Sequence, residues 1–100
     1  MPSLSVAVPH MLGQEEAVER LKERSRVMKT TYQDHIRNLE EHWNGSSGRY
    51  RFRTMGMEIK GTVTADASQV KVSVDLPLMA VMFRGAIEEK LRQELGEILA

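Results

Sequence analysis

"QVKVSVDL", residues 69–76, decides the fold. Val70, Val72, Val74 and Leu76 alternate with Gln69, Lys71, Ser73 and Asp75. A period of two suits an extended strand with one apolar face and one wet face. Immediately upstream, "DAS" (66–68) turns the chain, and "MGMEIKGTVTA" (55–65) repeats the pattern. There Met57, Ile59, Gly61 and Val63 lie on one side, with Glu58, Lys60, Thr62 and Thr64 on the other. One step further out, "RYRFRT" (49–54) separates Tyr50 and Phe52 from Arg49, Arg51 and Arg53. Three such runs with short connections predict an antiparallel meander with one wet face. "NGSSG" (44–48) predicts a turn or flexible loop before it, and "EHW" (41–43) a brief strand whose one large apolar group is Trp43. "LSVAV" (4–8) adds a strand with Leu4, Val6 and Val8 on one face, ended by Pro9.

Two stretches change period. After Gly13, a candidate N-cap, Glu15 and Glu16 favour the positive end of a helix dipole. Val18, Leu21, Ser25, Met28, Tyr32 and Ile36 then recur every three or four residues, which predicts a helix of about six turns with Ser25 as the weak point of its stripe. Helical phase is lost near Asn38. A second helix is expected from Pro77 onward, with Ala80, Phe83, Ile87, Leu91, Leu95 and Ile98 on its inner face. The expected architecture is α+β. It is one domain over residues 1–100, with an antiparallel sheet of four to five strands, two helices on one face and the order β-α-β-β-β-β-α.

The start of the last helix has more apolar surface than one face can use. With Ala80, Phe83 and Ile87 turned to the sheet, Leu78 and Met82 point nearly the opposite way at about 100° per residue, flanked by Met79 and Val81. The first helix or the Met55–Met57 hairpin could cover them. Otherwise Leu78, Met79, Val81, Met82 and Met55 form a surface for a partner, a second copy or an apolar phase. Methionine suits adaptable contact, and Gly85 would permit close backbone approach.

Composition excludes several functions. The 14 basic and 14 acidic side chains cancel, so no long-range field attracts nucleic acid or an anionic membrane. With no cysteine, disulfides and thiolate chemistry are absent, which is compatible with a reducing cytoplasm. "MPSLSVAVPH" lacks the basic start and apolar run of a signal peptide, and no run reaches the ~20 residues of a membrane span. "RYRFR" sends its rings and its arginines to opposite faces, whereas a nucleic-acid stacking platform needs both exposed together. His35 and His42 stand seven apart with no HExxH-type spacing, so no metal is expected; Gly56 and Gly61 match no phosphate loop, so no cofactor is expected either. His10, where a strand meets a helix, is the one candidate for chemistry. No activated serine accompanies it, so it reads as a corner-fixing group and the protein as a non-enzyme.

His10, Leu12, Gly13, Glu16, Ala17, Arg20 and Leu21, spaced HxLGxxEAxxRL, resemble the start of the polyhydroxyalkanoic acid system family, small bacterial proteins named for genes near polyhydroxyalkanoate metabolism. The stretches Trp43-Asn44-Gly45, Phe52, "GMEIKGTVTADASQVKVSVDLP" and "AIEEKLRQEL" match in kind, so the resemblance spans nearly the whole chain. It implies a bacterial, cytoplasmic protein at polyhydroxyalkanoate granules or in their regulation, and it carries no catalytic residues. The corner motif to be located is His10, Gly13, Glu16 and Arg20. The expected role is an accessory or interaction module, as a homo-oligomer (a dimer) or bound to a hydrophobic granule or protein partner. The alternative is a helix-grip-like domain binding a small lipid or acyl ligand between sheet and helix.

Overall fold

A computed structural model describes residues 3–100. Its elements follow the order β1 (Ser3–Pro9), α1 (Gln14–Thr31), β2 (Arg37–Asn44), β3 (Ser47–Thr54), β4 (Met57–Ala65), β5 (Gln69–Asp75), a 3₁₀ segment (Leu78–Phe83) and α2 (Arg84–Leu99). The five strands form one antiparallel sheet in the order β1-β5-β4-β3-β2. Three consecutive hairpins build β2 to β5. β1 then joins at the far edge beside β5, so α1 must carry the chain from one edge of the sheet to the other.

The alternation fixes the register. Leu4 pairs with Val74, Val6 with Val72 and Val8 with Val70, while Val63 sits across from Val72 on the other side. These side chains share one face of the pleat, where Leu4, Val6, Val70, Val72 and Leu76 are buried with Ala17 and Leu21 of α1 and Leu95 and Leu99 of α2. α2 packs along β1, and α1 lies against α2 and β4. The opposite face, with Ser5, Lys71, Ser73, Thr62, Lys60, Arg49 and Arg51, is covered by no helix and is wet.

Four details differ from the pattern-based expectation. α1 stops at Thr31, capped by a Tyr32 amide donating to the Met28 carbonyl, and Ile36 lies beyond it. Eighteen helical residues span about 27 Å, as do the eight residues of β2, so a sixth turn would overshoot the start of that strand. Second, β2 is longer than "EHW": Asn38 takes φ 56° at an irregularity between Arg37 and Glu40, which lets Arg37 pair with Arg53. Third, only Gly45 and Ser46 of "NGSSG" form the turn, since Asn44 already pairs with Ser47. Finally, the last helix is broken. Phe83, at φ −100° and ψ 12°, leaves the helical path between the 3₁₀ segment and α2, and at this bend it is 59% exposed instead of facing the sheet. A β-carbon on Gly85 would meet nothing within 4 Å, so no backbone approaches it within the described chain.

Candidate functional site

Three groups of residues stand out, and the corner after β1 is the first. His10 is 8% exposed. Its Nδ1 accepts from the Leu12 amide at 3.1 Å, which leaves Nε2 to donate to the Asp66 carbonyl at 3.1 Å. A neutral imidazole is thus fully engaged with backbone, joining the β1–α1 corner to the β4–β5 turn. Gly13, at φ 82°, makes the left-handed entry to α1 that a side chain would strain, and its carbonyl accepts from Ala17. Arg20 pairs with Glu16 at 2.8 Å and donates from Nη1 to the Ile98 and Ala100 carbonyls, groups that the end of α2 cannot satisfy internally. Both ring nitrogens of His10 therefore have backbone partners.

The second group lies at the opposite end of the sheet. Lys60↔Asp75 is the last β4–β5 pair, so the chain leaving β5 through Leu76 and Pro77 continues toward the Met55–Gly56 turn. The 3₁₀ segment and the β3–β4 hairpin tip therefore share one end of the molecule. Leu78 (80%), Met79, Met82 (82%) and Phe83 are exposed there, with Val81 less so and Met55 at 88%; Ala80 alone in the 3₁₀ segment is buried. α1 also ends on this side, where Tyr32 is partly exposed. Single exposed apolar side chains are ordinary, but this many at one end are not.

Met55 is the informative member. Both central residues of its turn have positive φ, 52° at Met55 and 77° at Gly56. A two-residue hairpin of this kind favours Asn-Gly, and a left-handed methionine costs roughly 1 kcal/mol. The position carries a side chain that the turn disfavours and that water disfavours.

A third group was not legible in the pattern. Glu41 pairs with Tyr50, so it lies on the helix-covered face of the sheet. Tyr50 Oη donates to Glu41 Oε2 at 2.8 Å, Trp43 Nε1 donates to the same oxygen at 2.8 Å, and Lys29 Nζ meets Oε1 at 2.6 Å. Ser25 Oγ, 2.7 Å from Tyr50 Oη, completes a chain from α1 to β3 and β2. Burial alone would raise the Glu41 carboxyl, but hydrogen bonds from Lys29, Trp43 and Tyr50, with the Lys29 charge, outweigh it and hold it below the usual range. Burial, reinforced by the hydrogen bond to Glu41 and its charge, pushes Tyr50 up to about 12 against an opposing contact from Ser25. At neutral pH one group stays ionised and the other protonated, so neither is poised to exchange a proton. The hint in the sequence was Ser25, the polar break in the α1 stripe: it marks where helix meets sheet through polar groups.

His35 and His42, whose sequence spacing matches no metal-ligand pattern, stand apart. His42 pairs with Arg49 on the wet face, and His35 lies before β2 in an edge contact with Tyr32. Among the described residues no three His, Asp or Glu side chains gather to hold a metal ion, and no helix is long and apolar enough to cross a membrane.

Residues 4–99 match the family described as "Putative polyhydroxyalkanoic acid system protein". The chain belongs to this family. No curated protein matches it. Within the chain, the HxLGxxEAxxRL stretch is accounted for by architecture: His10 and Gly13 form the corner, Ala17 and Leu21 enter the core, and Glu16 and Arg20 hold the end of α2. The corner motif and the apolar end lie at opposite ends of the sheet and do not form one site.

Proposed function

We propose that this protein is a non-enzymatic accessory component of the polyhydroxyalkanoate system, one that attaches through its apolar end to a hydrophobic granule surface in the bacterial cytoplasm. The supporting observation is the exposure of Leu78, Met79 and Met82 on one short 3₁₀ segment, at the same end as the conformationally unfavourable Met55. Val81 and Phe83 extend that surface. The engagement of both His10 nitrogens by backbone and the fixed protonation of the Glu41–Tyr50 pair favour attachment over catalysis. A small apolar ligand between sheet and helices finds less support, because Leu4, Val6, Val70 and Leu76 fill that interface.

The test is co-sedimentation with amorphous polyhydroxyalkanoate particles, alongside sedimentation velocity of the free protein. Wild type is expected to pellet with the particles, and Leu78→Glu with Met82→Glu to stay in solution with an unchanged circular dichroism spectrum. Equal pelleting of the double variant removes the reading. A wild-type dimer that the same substitutions convert to monomer would replace it with self-association, and a lipid-sized mass retained in native mass spectrometry would replace it with ligand binding.

A further inference from the structure

The hairpin tip at the apolar end is bordered by a pair of arginines. Arg37 and Arg53 face each other directly across β2 and β3, on the wet face, one residue from the Thr54–Met57 pair that closes the hairpin. Like charges directly opposite on neighbouring strands repel. No carboxylate lies within ion-pairing distance of either among the described residues, and the one internal contact is Arg53 Nη2 to the Gly56 carbonyl at 3.4 Å. Both line a concavity of about 550 Å³ at the tip, with Asp34, His35, Thr54, Met55 and Gly56. Asp34 lines the same concavity but forms no ion pair with either arginine. Arg84 follows Phe83 in the chain, and residues 76–87 contain no acidic side chain. Glu58, the β4 partner of Arg53, lies on the same face but is ion-paired to Arg51, so it compensates Arg53 only in part; Arg49 lies deeper on the sheet, across from His42.

We propose that this end recognises an anionic lipid interface, with Met55, Leu78, Met79, Met82 and Phe83 entering the acyl layer while Arg37 and Arg53 clasp a phosphate headgroup at its rim. This deepens the attachment reading above and rests on it. The chain has no net charge to attract an anionic surface from a distance, so local charge complementarity decides the occupant. A bare apolar polymer gives an opposed arginine pair nothing to bind. A second copy would bring two more arginines against the first two around the two-fold axis expected of such a dimer. A phospholipid surface supplies both an apolar layer and a layer of phosphates beside it. Amphipathic surface binding of this kind combines buried apolar area with attraction to anionic headgroups, and a basic residue near such a surface contributes about fivefold in affinity.

The experiment is flotation of the full chain with vesicles of phosphatidylcholine alone and with added phosphatidylglycerol, run beside polyhydroxyalkanoate particles. Wild type is expected to prefer the anionic vesicles. Arg37→Gln with Arg53→Gln should lower that affinity roughly thirtyfold, taking both arginines together, while particle binding is retained. Leu78→Glu with Met82→Glu should abolish both. Inorganic phosphate should compete weakly, because a free anion lacks the acyl chains; full displacement by phosphate would instead assign the cleft to a soluble anion and overturn the lipid proposal. Equal binding to neutral and anionic vesicles, or no effect of the arginine substitutions, overturns it while leaving the attachment reading intact. Failure of wild type to bind either particles or vesicles overturns both.

Discussion

The Trp43 indole lies over Gly48, its cross-strand partner, so closely that a β-carbon on the glycine would come 2.7 Å from Cε2. Tyr50 meets the same indole edge-on at 6.3 Å, and Lys22 Nζ lies 5.4 Å from its ring centre. Gly48→Ala is therefore expected to push the indole away and lower stability by about 1–3 kcal/mol, as overpacking does. Chemical denaturation with tryptophan fluorescence measures it, and an unchanged midpoint would show that the ring has room to move.

The Glu41 network predicts an acid limb in the stability curve. Its carboxyl is held low in the folded state, so the stabilisation is complete above the unfolded value, about 4.3, and is lost as pH falls through the folded one. Glu41→Gln should cost about 1–3 kcal/mol at pH 7, leaving Lys29 without its carboxylate. It should also flatten the difference between pH 7 and pH 3. Urea titrations of both proteins at the two pH values check the sign; an equal acid loss in the variant would assign that limb to other carboxylates.

At the hairpin tip, stability and attachment should move in opposite directions. Met55→Asn relieves the left-handed strain and is expected to raise stability by about 1 kcal/mol. The same change removes an apolar contact, so binding to hydrophobic particles should weaken. Thermal melts and co-sedimentation on one preparation are sufficient to see both.

The corner should be purely architectural. His10→Ala leaves the Leu12 amide and Asp66 carbonyl without their partner and is expected to cost about 1–3 kcal/mol. Arg20→Ala should speed amide hydrogen exchange in the last turn of α2, whose Ile98 carbonyl it holds. Particle attachment by both folded variants should match wild type. A binding defect in either would move the functional surface to this end.

The strands β3 to β5 and the inward set Leu4, Val6, Val70, Val72 and Leu76 were readable from alternation, because a pleat offers each side chain only two directions, and the short connections gave the antiparallel order of β3 to β5. The surplus at Leu78, Met79 and Met82 was readable too, since a helix has one core-facing side. Phe83 was misplaced because the pattern assumes an unbroken helix, and the bend at φ −100° depends on how the 3₁₀ segment meets the sheet. Glu41 escaped notice because it occupies an inward strand position normally apolar; its meaning depends on Lys29, 12 residues earlier in the sequence, lying opposite it.

Local periodicity was thus enough to specify the elements, the covered face of the sheet and the presence of unspent apolar side chains. Only the tertiary structure set Arg37 against Arg53 at the hairpin end and brought Ser25, Lys29, Glu41 and Tyr50 together. Side-chain direction follows from the backbone period of neighbouring residues, whereas contact between distant residues depends on register and on where each helix stops.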